Sequence, residues 1–537
     1  MLARLFRVPS WWLDLSIPEV SAAASGEAQL EASLETIETG WQDMEFVTLS
    51  HRDQKGVYIL GGLDEIMTLL EDNQVTLQTM MGSRFIAGVQ DAVEDWEKKL
   101  ALLSETLDEW ITVQRNWMYL ETIFCAEDIQ KQLPVESQKF MLVDKMWKTT
   151  LKATNDDPKV IASIKDGPTL LHTFQHANKT LEDIQKSLED YLQTKRMAFP
   201  RFYFLSNDDL LEILSQTRDP HAVQPHMNKC FDAVKSITFG EGPKRNNIYG
   251  FTDPGSEKVE LSEGSAAEGA VEFWLKAFEN QMLQTLYDKA KNALARYPAT
   301  DDGMINRGNW LFSLTDDSTD DHKVDRDAPE IAPAQIIIVV DQIVWTKMCG
   351  DALAALQDGS DKDAMQTFYT FSLAQLDGMV RLVQGDLNKN QRTMIGALTT
   401  IDVHARDTVK GMLVKGTHTL TDFEWTKQLR YYWEYELKDS KRGDNDVVAR
   451  QTNTRFIYAY EYLGNGPRLV ITPLTDTCYL TLTGALHMRL GGAPAGPAGT
   501  GKTETTKDLA KALAVYCVVF NCRLVMTCHI RIGCLNH

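Results

Sequence analysis

Eight consecutive residues have the types and the spacing that binding a nucleotide phosphate requires. They fit the pattern G-x-x-x-x-G-K-[ST] and run Gly496-Pro497-Ala498-Gly499-Thr500-Gly501-Lys502-Thr503. Glycines let successive backbone N–H groups turn inward around phosphate oxygens, and a helix that starts there points its positive end at the anion. We expect Lys502 to reach the β- and γ-phosphates and the Thr503 hydroxyl to ligate Mg²⁺. The pattern predicts ATP and Mg²⁺ as cofactors.

The elements around this phosphate loop (residues 496–503) have to hold it in place. A helix is predicted from about Thr503 to Val515, and another from Thr475 to Met488. Short apolar runs predict strands at Phe456–Tyr460, Arg468–Thr472 and Val518–Phe520. Strand, loop, helix and strand are the opening of an α/β nucleotide-binding fold, although the five residues before the loop have poor strand propensity.

Hydrolysis needs more than a phosphate loop. An acidic residue at a strand end normally helps to hold Mg²⁺ and to polarise the attacking water. The sequence has no Asp or Glu after Asp508. We therefore expect a chain that is truncated or ends in a divergent tail, residues 523–537, and that does not hydrolyse ATP by itself.

The sequence before residue 440 reads mainly as amphipathic helices. Apolar residues recur at helical spacing, with charged residues on the opposite face. The clearest stripes are Trp96, Leu100, Leu103, Leu107 and Trp110, and Leu181, Ile184, Leu188, Tyr191 and Leu192. Ser206 followed by Asp209 predicts a helix start of the capping-box type. These patterns predict a mainly α, elongated helical bundle followed by the truncated start of an α/β phosphate-loop domain.

Breaks in the pattern suggest the domain organisation. Residues 237–261 contain short β-type pieces, and residues 299–333 are acidic and rich in turn formers. A charged stretch at residues 439–446 marks the predicted main boundary. The predicted domains are a poorly ordered leader at 1–26, a helical arm at 27–438 and a truncated nucleotide-binding module at 439–537.

Composition excludes several classes of protein. The 537 residues carry a net charge of −20, which argues against a general nucleic-acid binder. No apolar run approaches the length of a membrane span. The 8 cysteines show neither a disulfide framework nor the C-x₂-C spacing of a zinc site, so reduced thiols in the cytoplasm are expected.

Histidines provide two weaker candidates for chemistry. His172 and His176 are four residues apart on a predicted helix, a spacing that suits zinc, but no third ligand is evident. His404, Arg406 and Asp407 suggest acid–base chemistry, yet they fall within a helix. We interpret all five as structural or surface residues.

Longer segments resemble a known family. Ile471–Tyr479 followed by Gly491–Asp508 is similar to the first AAA+ module of dynein heavy chains, and Tyr460–Val470 also resembles that module. Three upstream segments resemble the dynein linker: Phe199–Leu214, Ile401–Val409 and Gln428–Glu434. A fourth segment, Arg218–Phe231, resembles axonemal more than cytoplasmic members of the family. The resemblance covers residues 27–522. Thr477 stands where the family pattern usually has Arg.

The resemblance implies a motor. In the family the linker is a lever that bends across an AAA+ ring, and the first ring module is the main ATP site. It implies that Gly496 to Thr503 bind the phosphates and Mg²⁺, and that Leu469–Leu474 packs on adenine through Ile471 and Leu474. The implied partners are the rest of a dynein ring, intermediate and light chains, and microtubules through regions this sequence lacks. The implied location is the cytoplasm and cytoskeleton, in the axoneme of a cilium.

Three classes of function remain open from the sequence. In the first class, the chain is part of a motor, and its arm responds to nucleotide. Alternatively, it is a non-catalytic interaction protein or truncated isoform that keeps the arm but lacks ATPase activity. A stand-alone ATPase is disfavoured because of the missing acid.

Overall fold

Helices dominate the structure, a computed structural model. It describes residues 10–52, 56–165, 167–215, 219–297, 307–313 and 332–519. The chain divides into two units, Met1–Thr194 and Lys195–His537. The sheets are small, and all the strand pairs in the described residues are antiparallel. The predicted mainly α class with small β excursions is confirmed.

The first unit is built from helices and one two-stranded hairpin. Its elements are α1 (Ser10–Gln42), β1 (Val47–Ser50), β2 (Tyr58–Gly61), α2 (Asp64–Met81), α3 (Gln90–Phe124), α4 (Glu127–Gln132), α5 (Pro134–Asp156), α6 (Val160–Lys165) and α7 (Gly167–Ala198). The last turn of α7 lies in the second unit. Helix α1 runs through the second part of the predicted leader, residues 1–26.

Aromatic side chains form the core of the first unit. The Trp117 and Trp147 rings stack with centroids 5.4 Å apart, which joins α3 to α5. Trp110 lies 4.8 Å from Phe174, which joins α3 to α7. Both predicted apolar stripes are buried, except that Tyr191 is half-buried. The helical periodicity therefore identified the core faces of α3 and α7 correctly.

The second unit alternates helices with two three-stranded sheets. Its elements are α8 (Asn207–Ser215), α9 (Met227–Cys230), β3 (Ser236–Phe239), β4 (Asn247–Thr252), β5 (Lys258–Ala266), α10 (Val271–Ala295), α11 (Arg307–Ser313), α12 (Ala334–Asp358), α13 (Ala364–Val383), α14 (Lys389–Lys415), α15 (Phe423–Thr426), β6 (Arg430–Glu434), β7 (Asp446–Gln451), β8 (Thr454–Ile457), α16 (Pro473–His487) and α17 (Lys502–Leu513).

Two local sequence signals in this unit are confirmed. The Asp209 amide donates to the Ser206 hydroxyl at 3.1 Å, so the predicted cap of α8 is confirmed. Strands β3 to β5 fall in and just beyond residues 237–261, where β structure was predicted. Most of the predicted excursion at 299–333 lies outside the described residues. Residues 439–445 lie in the connection between the antiparallel strands β6 and β7, Asp446 begins β7, and the domain boundary predicted at 439–446 stays a prediction.

The polar residues singled out in the second unit have structural contacts. On α14, the His404 ring lies 3.6 Å from the Asp476 carboxylate of α16, and Arg406 pairs with Asp407 at 2.7 Å. Burial lowers the pKa of His404. The structural interpretation of these residues therefore agrees with their contacts.

A buried ion cluster joins α11, α12 and α14. The Arg307 guanidinium contacts the Asp341 carboxylate at 2.6 Å and the Asp402 carboxylate at 2.8 Å. One cation thus faces two carboxylates, and the Tyr297 hydroxyl is 3.5 Å from Asp341. Burial raises the pKa of Asp341 to about 7, with Arg307 opposing the shift and Asp402 adding to it.

Candidate nucleotide-binding site

Three glycines shape the phosphate loop. Gly496, Gly499 and Gly501 have φ values of +153°, +78° and +80°, conformations that side chains with a Cβ rarely adopt. The Thr500 hydroxyl donates to the Pro497 carbonyl at 2.9 Å and closes the turn. The loop residues are exposed to solvent except Lys502, which is half-buried. The glycines of the motif are therefore required by the backbone itself.

Lys502 folds back over the loop. It is the first residue of α17, and its ammonium donates to the Gly496 carbonyl at 2.8 Å and to the Pro497 carbonyl. The Thr500 hydroxyl lies 3.4 Å away. Thr503 follows in the first turn of α17 and is exposed. The lysine, the glycines and the start of the helix are thus brought together as the motif predicted, and these groups suit a phosphate anion.

The segment predicted to hold adenine is not a strand. Residues 468–472 are irregular, so the predicted strand there is wrong. The reason lies in the hydrogen bonding, since the Leu469 amide donates to the Asp508 carboxylate at 3.1 Å and not to a neighbouring strand. Ile471 is half-buried, and the Leu474 side chain is 74% exposed. Their contact with adenine stays a prediction.

Two further strand predictions need correction. In the predicted strand at 456–460, only residues up to Ile457 are extended, as part of β8, and they pair with β7 across a tight turn in an antiparallel sheet. Val518 and Val519 are irregular, and Phe520 lies outside the described residues. A parallel strand is stabilised by its neighbours, and the described residues do not supply parallel neighbours. Helices α16 and α17 are confirmed.

Asp508 is a buried contact point that the sequence did not reveal. It lies on α17, and its carboxylate accepts hydrogen bonds from Arg468 at 2.9 and 3.0 Å and from the Tyr479 hydroxyl at 2.5 Å. Burial would raise the pKa of Asp508, but the hydrogen bonds from Arg468 and Tyr479 outweigh it and lower that pKa. The carboxylate is therefore charged at neutral pH.

The C-terminal end of α17 is held by backbone groups. The Ala459 amide donates to the Leu513 carbonyl at 3.1 Å, and the Glu461 amide donates to the Ala514 carbonyl at 3.0 Å. The Tyr431 hydroxyl of β6 donates to the Ala512 carbonyl at 3.0 Å. Carbonyls that a helix end leaves without intrahelical partners are thereby satisfied.

Glu461 connects this helix end to a buried arginine. The Arg201 guanidinium donates to the Glu461 carboxylate at 2.8 and 2.5 Å and to Glu279 of α10 at 2.9 and 3.0 Å. Its Cζ atom lies 4.5 Å from the Phe231 ring centroid and 4.7 Å from that of Tyr516, which follows α17. Arg201 comes from the segment that resembled the dynein linker, and its partners were not predictable from local pattern.

Comparison with known proteins decides the family. Residues 9–293, more than half of the chain, match the family described as dynein heavy chain, N-terminal region 2. The chain belongs to the dynein heavy chain family. Residues 458–532, which include the phosphate loop, match the hydrolytic ATP binding site of dynein motor region. Nucleotide use is therefore a property of the family to which this part of the chain belongs.

Individual relatives are axonemal. Dynein axonemal heavy chain 6 of Homo sapiens is 45% identical over 97% of this chain and 12% of the relative. Dynein axonemal heavy chain 12 of Rattus norvegicus is 44% identical over 94% of this chain and 15% of the relative. Dynein axonemal heavy chain 2 of Homo sapiens is 42% identical over 94% and 11%. The predicted resemblance to axonemal dyneins is confirmed, and the chain spans less than a sixth of these relatives' length.

The sequence pattern located some residues of the candidate site and missed others. It identified the loop, Lys502 and Thr503. It missed Asp508, Tyr479 and Glu461, whose contacts depend on residues far apart in the chain, although Asp508 was visible as the last acid of the sequence.

Among the described residues, none of the helices is both long and apolar enough to cross a lipid bilayer.

Proposed function

We propose that this chain supplies the linker and the first ATP site of an axonemal, ATP-driven microtubule motor. In this proposal residues 27–438 act as the lever, and the phosphate loop binds the phosphates of ATP with Mg²⁺ at Thr503. Adenine lies against Ile471 and Leu474. The location is the ciliary axoneme, and the partners are the remainder of a dynein ring with intermediate and light chains.

One observation carries the nucleotide part of this proposal. The three loop glycines have positive φ, and the Lys502 ammonium lies on the Gly496 carbonyl at 2.8 Å, directly where α17 begins. Positive-φ glycines, a helix N-terminus and a lysine ammonium are groups that suit a polyphosphate. On binding, the ammonium would exchange loop carbonyls for phosphate oxygens. Mg²⁺, held by the Thr503 hydroxyl, would neutralise part of the phosphate charge.

Nucleotide titration of the full chain tests the proposal. We expect saturable binding of MgATP in isothermal titration calorimetry. Lys502→Ala should weaken it by about 10- to 150-fold, because hydrogen bonds to charged groups contribute about 1.5–3 kcal/mol. Lys507→Ala is the matched control on the same helix, since Lys507 is paired with Glu504 at 3.1 Å on an exposed face. Equal affinity of the two variants would contradict the proposal.

The lever part needs a separate measurement. We expect MgATP to change the distance between fluorophores placed on the arm and on α17 in a protein that contains the whole ring. A folded chain that binds its family partners without any response to nucleotide would favour the alternative, a non-catalytic interaction protein.

A further inference from the structure

The Asp508 carboxylate receives donors from two other segments of the chain. Arg468 gives it two hydrogen bonds, the Leu469 amide gives a third at 3.1 Å, and the Tyr479 hydroxyl gives a fourth at 2.5 Å. The side chains of Arg468 and Asp508 are only 8% and 6% exposed, and Tyr479 is 3% exposed. A carboxylate with four donors in a buried environment has a well-defined position.

Stability alone does not explain this arrangement. Removing two charges from water is expensive, and buried ion pairs are often no more stabilising than apolar side chains of similar volume. Their geometry is nevertheless restrictive, because Nε and Nη2 of Arg468 each donate to a different oxygen of Asp508, and such a bidentate pair allows little variation in angle. The cluster therefore fixes how α17 is placed against the segment 468–479 within the second unit.

This cluster has residues both on the helix of the phosphate loop and beside the segment proposed to contact adenine. Asp508 lies six residues after Lys502, roughly 9 Å along the helix axis at about 1.5 Å per residue. Arg468 and Leu469 lie three and two residues before Ile471, and Tyr479 lies on α16, which begins at Pro473. The cluster thus joins the helix of the phosphate loop to the segment proposed to contact adenine.

We propose that Asp508, held by Arg468 and Tyr479, is a positioning residue that sets the distance between the phosphate loop and the adenine-binding segment. This proposal rests on the nucleotide-binding function proposed above. A ligand with both a base and phosphates needs the two parts in register, whereas a ligand made of phosphates alone needs only the loop. Loosening the cluster should therefore weaken ATP binding selectively.

The test compares two ligands in the full chain. Calorimetry measures the affinity for MgATP and for magnesium tripolyphosphate, which has no base. Tyr479→Phe removes one hydrogen bond to Asp508 and keeps the ring. We expect it to weaken MgATP binding by about five- to tenfold, a typical size for coupling between two parts of a site, and to change tripolyphosphate binding by less than about twofold. Arg468→Lys keeps the positive charge but cannot make the bidentate hydrogen bonds, and it should give the same selective loss of MgATP affinity.

Controls separate this proposal from the function on which it rests. Tyr287→Phe removes a hydroxyl of α10 that donates to the Asn445 carbonyl at 2.9 Å and not to Asp508, and should leave both affinities unchanged. Lys502→Ala should weaken both ligands. Equal losses for both ligands in Tyr479→Phe, or no loss for MgATP, would overturn the positioning role while leaving the nucleotide site intact. A wild-type chain that binds neither ligand would overturn both.

Discussion

Replacing Arg201 by methionine should destabilise the second unit strongly. The change keeps much of the side-chain volume but removes a cation that makes four hydrogen bonds to Glu461 and Glu279 and one to the Cys230 carbonyl. Glu461 is only 4% exposed and would lose its cationic partner. Breaking a buried pair from one side costs about 3–5 kcal/mol, because the remaining charge is not compensated. We expect a loss of that size in the free energy of unfolding.

Urea unfolding with hydrogen exchange read out by peptide measures this loss. The exchange data assign the effect to the second unit, and peptides around residues 459–461 should lose protection. Arg406→Met is the matched control, because Arg406 pairs with Asp407 on the surface of α14 and should cost less than about 1 kcal/mol. Adding Glu461→Gln to Arg201→Met should recover part of the loss. If Arg201→Met costs no more than Arg406→Met, the buried network does not have the energetic role described.

Three further changes test other parts of the structure. Trp147→Ala removes the ring stacked on Trp117 and should cost about 3–5 kcal/mol in urea unfolding of the first unit, since it leaves a cavity. Gly501→Ala should cost about 1–2 kcal/mol and weaken MgATP binding in calorimetry, because its φ of +80° is unfavourable for alanine although open space surrounds the new Cβ. Burial raises the pKa of Asp341 from 3.8 to about 7, so the folded protein binds this proton more tightly than the unfolded chain, and the free energy of unfolding should fall as pH rises between these two values. Asp341→Asn should flatten this dependence in unfolding measured between about pH 4 and about pH 8, and an unchanged pH profile would contradict the pKa shift.

Helices and the phosphate loop were predictable from the sequence because their signals are local. The stripes of α3 and α7 follow from a 3.6-residue period, and the start of α8 follows from Ser206 and Asp209. The inward turn of the phosphate loop follows from its glycines, and residues 496, 499 and 501 have the positive φ that such a turn requires. In each case the physical cause lies within a few residues of its effect.

The strands around the nucleotide site were harder to predict because a strand depends on its neighbours. Residues 468–472 have good strand propensity, yet their backbone is held by a carboxylate from α17. Residues 454–457 do form a strand, but in an antiparallel sheet with β7. Propensity describes how a residue fits a sheet and does not say which sheet is available.

The contacts of Asp508 and Arg201 were unpredictable for a related reason. Arg201 and Glu461 are 260 residues apart in sequence, and Arg468 and Asp508 are 40 apart. No periodicity links such positions, and an isolated charged residue is usually a surface residue. Only the fold shows that these charges are buried and paired.

Hydrogen exchange of the full chain with and without MgATP tests the central claim most directly. We predict that nucleotide slows exchange at residues 496–506, where loop amides and the first turn of α17 would contact phosphate, and that Lys502→Ala reduces this protection at a MgATP concentration close to the wild-type Kd. Unchanged exchange in those residues of the wild-type chain at saturating MgATP, or equal protection in Lys502→Ala at the concentration close to the wild-type Kd, would contradict this claim.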